Sequence, residues 1–213
     1  MFKFIFFTIF FSIISYCAKT QDYEEFDTLS RNDFVIHTSG GLGFYYLIHN
    51  DPNSENKITA STILNLGASY FIAQNISLGF SFSRLTFPSD KDSAQSAKTN
   101  LTALSLKIFT LRSKKSNIYI GINGGTSKFK FKNLKTNTLV SAGNLFIEPN
   151  IGFTHYWGKY IGMFIQSSYF YTKYNKIVNK ENEPLRVTIN GKQENFQIAF
   201  SGFKVQAGLL IKF

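Results

Sequence analysis

Side chains able to do acid–base or nucleophilic chemistry are sparse in this sequence, with three histidines (His37, His49 and His155) and one cysteine, Cys17. A histidine becomes a general base for acyl transfer when a hydroxyl lies beside it and a carboxylate orients it. His155 is flanked by Thr154 and Tyr156, and His49 has Asp51 and Ser54 close by in sequence. His37 stands among apolar and small residues. There is no metal-ligand spacing, phosphate loop or dinucleotide fingerprint, so no cofactor, metal or catalytic residue is assigned. Isolated polar residues inside apolar stretches form a second set: Lys107, Glu148, Lys204 and Gln206. What these can do depends on the elements that carry them.

The N-terminus sets the compartment. Lys3 precedes an apolar run from Phe4 to Ile14, and small or polar residues (Ser15, Ala18, Lys19, Thr20) follow. This is a signal-peptide pattern, too short for the roughly 20 residues of a membrane-spanning helix. Residues 1–18 are assigned as the signal, with cleavage near Cys17 or Ala18. Cys17 stands where a lipoprotein carries its lipidated cysteine, but Tyr16 replaces the small residue that such a signal requires, and lipidation is left open. The mature chain then has no cysteine for a disulfide. Residues 19–33 form an acidic lead-in (Asp22, Glu24, Glu25, Asp27, Asp33), placed in the periplasm, and 34–213 a single domain.

No later run of 18 apolar residues exists, so any membrane crossing must use strands. The chain holds 24 Phe, 11 Tyr and 15 Gly, a composition that suits either a membrane barrel or a soluble sandwich. Period-2 alternation decides between them. It predicts eight strands: Phe34 to Tyr46, Ala60 to Ile72, Ile76 to Phe87, Leu101 to Arg112, Asn117 to Phe131, Leu145 to Trp157, Tyr160 to Tyr174 and Ala199 to Phe213. Short connections (Ala73 to Asn75, Ser113 to Ser116, Gly158-Lys159) alternate with long ones (through Asp51-Pro52-Asn53, Pro88 to Lys98, Lys132 to Gly143, Asn175 to Asn195). Outer-membrane barrels sort their loops in this way, with tight periplasmic turns and long external loops. The expected fold is an all-β, eight-stranded antiparallel up-and-down transmembrane barrel.

The faces agree with an inside-out protein. Phe203, Val205, Ala207, Leu209, Ile211 and Phe213 alternate with Gly202, Lys204, Gln206, Gly208, Leu210 and Lys212; the first set is assigned to lipid and the second to the lumen. Leu145, Ile147, Ile151, Phe153 and Trp157 likewise oppose Glu148, Asn150, Gly152 and Thr154. Leu104, Leu106 and Ile108 oppose Ser105, Lys107 and Phe109. Ile76, Leu78, Phe80 and Phe82 oppose Ser77, Gly79, Ser81 and Ser83, and Leu64, Leu66 and Tyr70 oppose Asn65, Gly67 and Ser69. Gly40-Gly41 and Gly124-Gly125 mark either bulges or tight curvature. Phe44, Tyr45, Tyr46, Phe71, Phe87, Tyr156, Trp157, Tyr160 and Tyr171 fall toward strand ends, as an interfacial girdle or as the ordinary strand preference of aromatics.

The closing segment Val205-Gln206-Ala207-Gly208-Leu209-Leu210-Ile211-Lys212-Phe213 resembles the assembly signal of bacterial outer-membrane barrels, with Phe213 as its terminal aromatic. With the leader and the loop pattern, the chain resembles the OmpA/OmpX-like barrel domain and the PorT-like barrels of the Bacteroidetes. The resemblance implies insertion by the barrel-assembly machinery and residence in the outer membrane of a Gram-negative bacterium. A monomer is expected. It brings no peptidoglycan-binding domain.

On this frame Glu148, Lys107, Lys204, Gln206 and His37 form a polar network in a lumen filled by side chains, with a conduction role as the alternative. Lys212 is a further candidate. His155 falls outward at the periplasmic end, His49 in the first outer loop and His37 in the lumen near the periplasmic end. The chain carries a formal charge of +10. Much of it is placed on the third outer excursion (Lys128, Lys130, Lys132, Lys135) and the fourth (Lys173, Lys176, Lys180), to meet lipopolysaccharide phosphates or water. No nucleic-acid partner is expected for an exported barrel. The functional expectation is a non-enzymatic scaffold that meets envelope proteins through its loops, and the alternative is an outer-leaflet lipid A-modifying barrel enzyme. That enzyme requires a histidine, a hydroxyl and a carboxylate together at the outer rim; a soluble carrier requires every face inverted.

Overall fold

A segment that alternates apolar with small or polar residues separates the two sets onto opposite faces only when it is extended, and this drives the long strands. The computed structural model describes residues 29–52, 56–88, 95–133, 136 and 138–213; the leader 1–18, most of the lead-in, Ser54 and Lys135 lie outside the described residues. The strands are β1 (Phe34–His49), β2 (Lys57–Ala73), β3 (Ile76–Phe87), β4 (Gln95–Arg112), β5 (Ser116–Asn133), β6 (Thr138–Tyr156), β7 (Ile161–Tyr174), β8 (Arg186–Ile189), β9 (Lys192–Asn195) and β10 (Ile198–Lys212). Eight of them close into an antiparallel barrel in the order β1-β10-β7-β6-β5-β4-β3-β2. This is the expected all-β architecture.

The start of β1 and the end of β10 meet at one rim, where Phe213 N–H donates to the Phe34 carbonyl at 2.8 Å. The tight turns after β2, β4 and β6 share that rim, and the connections after β1, β3, β5 and β7 share the other; the third of these, expected as a long loop from Lys132 to Gly143, shrinks to residues 134–137 because β5 and β6 continue through most of it. Pairing runs without a shift through Gly40-Gly41 and Gly124-Gly125, so these are not bulges. The shifts fall between Phe71 and Ala73 and between Phe109 and Leu111, at the tight-turn rim. At Gly125 an added Cβ would stand 2.9 Å from the Ala103 Cα. Backbone approach on the concave side therefore demands glycine there, and tight curvature is the correct alternative.

Strands β4, β5 and β6 reach further out than alternation of apolar residues indicated. Lys128 and Lys130, within the expected fifth strand, and Lys132, expected in the loop after it, all lie exposed on the barrel wall on β5. Their inward neighbours Ser127 and Phe129 are buried and Phe131 is partly so. On the same strand Ile120 and Ile122 face out while Asn117 is buried. The polarity of the two faces thus reverses along one strand. Apolar residues face lipid low on the wall; higher up, where the exterior meets water, the charge goes out and the aromatics go in.

The connection after β7, expected as a plain loop, contains the β8-β9 hairpin. Its turn is Asn190-Gly191, with φ of 50° and 78°, the positive pair of a type I′ hairpin. That dipeptide was the available signal. The segment is fastened across the mouth by a Ser141–Val178 bridge to β6 and by Asn50, whose side chain donates to the Asn195 carbonyl (2.9 Å) and accepts from Gln197 N–H (2.9 Å).

Candidate functional site

The lumen is the place where this chain concentrates its buried polar groups, and it is layered. Near the outer mouth, Tyr45, Phe87, Phe129, Phe146, Phe170 and Phe200 fill the barrel from six different strands. Tyr45 meets Phe170 edge-on at 5.8 Å, and Phe200 meets Phe129 at 5.6 Å. Ile177, from the fourth loop, is buried among them, and Leu185 and Phe196 pack against the same cluster. A second apolar cluster (Val35, Phe71, Phe109, Tyr119, Tyr156, Phe164, Leu210) closes the tight-turn end, capped by Leu29 from the lead-in. Both clusters correct the expectation that the inner face is chiefly small or polar. They correct the girdle assignment too: Tyr45, Phe71, Phe87 and Tyr156 face inward and are buried, whereas Phe44, Tyr46, Trp157, Tyr160 and Tyr171 face out.

The polar layer lies between the clusters, and all five predicted network residues point into the lumen. Lys204 donates to Glu148 Oε2, and Asn123 Nδ2 donates to Glu148 Oε1 at 3.4 Å. Both members of this ion pair are about 2 % exposed. A charge so far from bulk water needs a partner held at hydrogen-bonding distance, which Glu148 on β6 supplies to Lys204 on β10 from across the intervening strand β7. Lys204 Nζ also lies 5.3 Å from the Phe170 ring centre. Lys107 is held differently, with Nζ 4.8 Å from the Tyr119 ring and 6.0 Å from that of Phe164. Cation–π contact of this kind stabilises by about 2 kcal/mol when desolvated. His37 packs edge-on against Phe164 at 5.6 Å. Gln206, His37, Lys107 and Glu148 line one cavity of about 20 Å³, room for little more than a water molecule.

Sequence reasoning missed two members of this layer, Tyr119 and Gln166: Tyr119 donates to Gln166 Oε1 at 2.9 Å. Asn65 and Ser83, both expected inward, meet there, with Asn65 accepting from Ser83 at 2.9 Å. The signal for Gln166 was the same alternation, with Ile165 outward, on a strand whose faces were not assigned. Lys212 is inward, but it serves the rim: it pairs with Asp33 at 3.3 Å, and Asp33 accepts from Ser30 N–H at 2.6 Å. These bonds, with the Arg112 side chain donating to the Leu29 carbonyl, fold residues 29–33 under the barrel and hold Leu29 in place.

The histidines are far apart in the fold. His155 faces outward at the tight-turn end, with Nδ1 2.8 Å from the Ser116 hydroxyl and its ring stacked on Phe153. His49 lies at the other end, against Phe196 at 6.2 Å. His37 is inside. Among the described residues no three His, Cys, Asp or Glu side chains gather as a metal would require.

No protein-family model matches this chain, and no curated protein is similar to it in sequence. Solved structures are similar in fold. The outer membrane protein OprG of Pseudomonas aeruginosa superposes with a TM-score of 0.59 at 13 % identity, over 89 % of this chain and 99 % of that one. Neisserial surface protein A superposes with a TM-score of 0.55 at 10 % identity, over 85 % and 97 %. At such identities the likeness establishes the eight-stranded outer-membrane barrel fold. The exterior supplies the same reading independently, with Leu64, Leu66, Phe80, Leu104, Leu145, Phe203 and Leu209 each at least half exposed or nearly so and none able to hydrogen-bond water.

Proposed function

We propose that this outer-membrane barrel of a Gram-negative envelope is a sealed, non-enzymatic anchor that holds its outer loops and its periplasmic face in place for contact with other envelope components. The observation that carries the reading is triple closure of the lumen. The outer aromatic cluster with Ile177, the Glu148–Lys204 layer and the Leu29 cap lie one above another along the barrel axis. A diffusion pore needs about 16 strands to leave water inside, and eight leave only a packed interior. Purified protein reconstituted in planar lipid bilayers is therefore expected to give no stepwise conductance at ±100 mV. Reproducible unitary steps would remove the sealed-anchor reading and make the lumen a conduit.

The lipid A-modifying alternative gains no support from the outer rim. His49 lies tilted against Phe196, and the histidine–hydroxyl contact of His155 with Ser116 sits at the opposite end. Assembly by the barrel machinery and a monomeric state belong to the same proposal. Phe213 is outward and exposed, backbone-bonded to Phe34 at the rim, where a docking factor could reach it. Phe213→Ala should lower the amount of folded barrel in the outer membrane several-fold while leaving the thermal stability of purified protein nearly unchanged. Gel mobility before and after boiling measures the first quantity, and an undiminished yield would leave Phe213 without an assembly role.

A further inference from the structure

On the outward faces of β3, β4 and β5, the strand register gathers cations that were scattered in the sequence. Lys98 on β4 stands directly opposite Lys130 on β5. Asn100 stands between Arg84 on β3 and Lys128 on β5, and accepts from Arg84 Nε at 3.2 Å. Lys132 follows one row higher, opposite Ser96. Arg84, Lys98, Lys128, Lys130 and Lys132 are all exposed. Side chains directly opposite on neighbouring strands have Cβ atoms only about 5 Å apart, and like charges there are destabilising. Nothing on the wall relieves this. On the eight barrel strands the only carboxylate is Glu148, which faces inward and is bonded to Lys204. Among the described residues none of the five cations makes an ion pair.

The rows immediately below are of a different kind. Phe82, Thr102 and Thr126 face outward next, then Phe80, Leu104 and Gly124, then Leu78, Leu106 and Ile122. Cations therefore sit directly on top of a lipid-facing apolar wall, on the same three strands. A free anion would use only the upper part, and a polyanion such as nucleic acid has no use for the lower. An amphiphile with a phosphorylated head and several acyl chains uses both.

We propose that the β3–β5 wall binds the phosphorylated headgroup of an outer-leaflet glycolipid, with phosphate between Lys98 and Lys130 and beside Arg84 and Lys128, and acyl chains along Phe80, Leu104 and Ile122. The assignment rests on the orientation of the proposed function, in which the long-loop rim faces outward. Bound phosphate screens the Lys98–Lys130 repulsion, so occupancy and stability are linked.

The test compares wild type, K98Q/K130Q and K98R/K130R in detergent stripped of lipid, with gel mobility before and after boiling confirming a closed barrel in each. Melting is followed on adding purified lipopolysaccharide, or inorganic phosphate at the same phosphorus concentration. Wild type and K98R/K130R should be stabilised by lipopolysaccharide and not by inorganic phosphate. K98Q/K130Q should melt at or above wild type without lipid, and its affinity for lipopolysaccharide should fall about 30-fold for the two lost charges. An unchanged lipopolysaccharide response in the glutamine variant would leave only a solvated charged rim, and an equal response to inorganic phosphate would leave a generic anion site; either overturns the proposal. Should the glutamine pair not fold, Lys128→Gln alone, away from the like-charge contact, is read by the same criteria. Conductance is untouched by these substitutions, so a failure here is separable from a failure of the sealed-anchor reading.

Discussion

Glu148→Gln is expected to destabilise the barrel by about 3–5 kcal/mol, while Lys204→Met costs less than about 2 kcal/mol. The asymmetry follows from the charges that share the polar layer. Lys107, Lys204 and Glu148 line or border it, two cations and one anion. Removing the carboxylate leaves both ammonium groups inside with no acid. Removing Lys204 leaves Glu148 with the Asn123 hydrogen bond and with Lys107 across the same cavity, a neutral layer. Urea unfolding in detergent, read by the fraction that keeps fast gel mobility unboiled, gives both values. Equal losses would mean that Lys107 does not share Glu148, and the layer would then be an isolated pair beside a separately held cation.

Ile177→Asp is expected to release the fourth loop from the mouth without opening the barrel. Ile177 is about 1 % exposed within the outer aromatic cluster, and an unpaired carboxylate there costs several kcal/mol. Undocking the loop avoids that cost, because what else holds it among the described residues is the packing of Leu185 and Phe196, the Ser141–Val178 bridge and the Asn50 bonds. Trypsin should then cut after Lys176 or Lys180 in minutes, at a concentration that leaves wild type intact, while the boiled and unboiled mobilities stay distinct. The variant should still not conduct, since the Glu148–Lys204 layer and the Leu29 cap lie beneath. Wild-type resistance to trypsin in the variant would show that the loop is held by its hairpin and backbone bonds rather than by the buried isoleucine.

The strands and their lipid faces were legible because two local rules coincide. Every extended chain sends successive side chains to opposite faces, and a bilayer accepts only apolar ones on the outside. Leu64, Phe80, Leu104, Leu145 and Phe203 could therefore be placed from spacing alone, and so could the inward direction of His37, Lys107, Glu148, Lys204 and Gln206. Glycine pairs were ambiguous, since a bulge and a close backbone approach select the same residue. Strand length was underestimated on β4 to β6 for a related reason. Above the lipid the alternation continues with its sign reversed, so residues 95–100, Lys132 and residues 138–144 read as loop when they continue β4, β5 and β6.

What the sequence determined by itself is thus the element type, the number of barrel strands and the face of most residues on them, all set by period and solvent. Tertiary structure decided which inward residues meet. Glu148 and Lys204 are 56 positions apart, and the pairing of β6 and β10 on either side of β7 brings them together; strand pairing likewise sets Lys98 opposite Lys130 on the outer wall, and the folded barrel brings Leu29 to Arg112 at the inner cap. Pairing in a barrel is fixed by non-local strand registers and by closure of β1 on β10, and no local pattern encodes those.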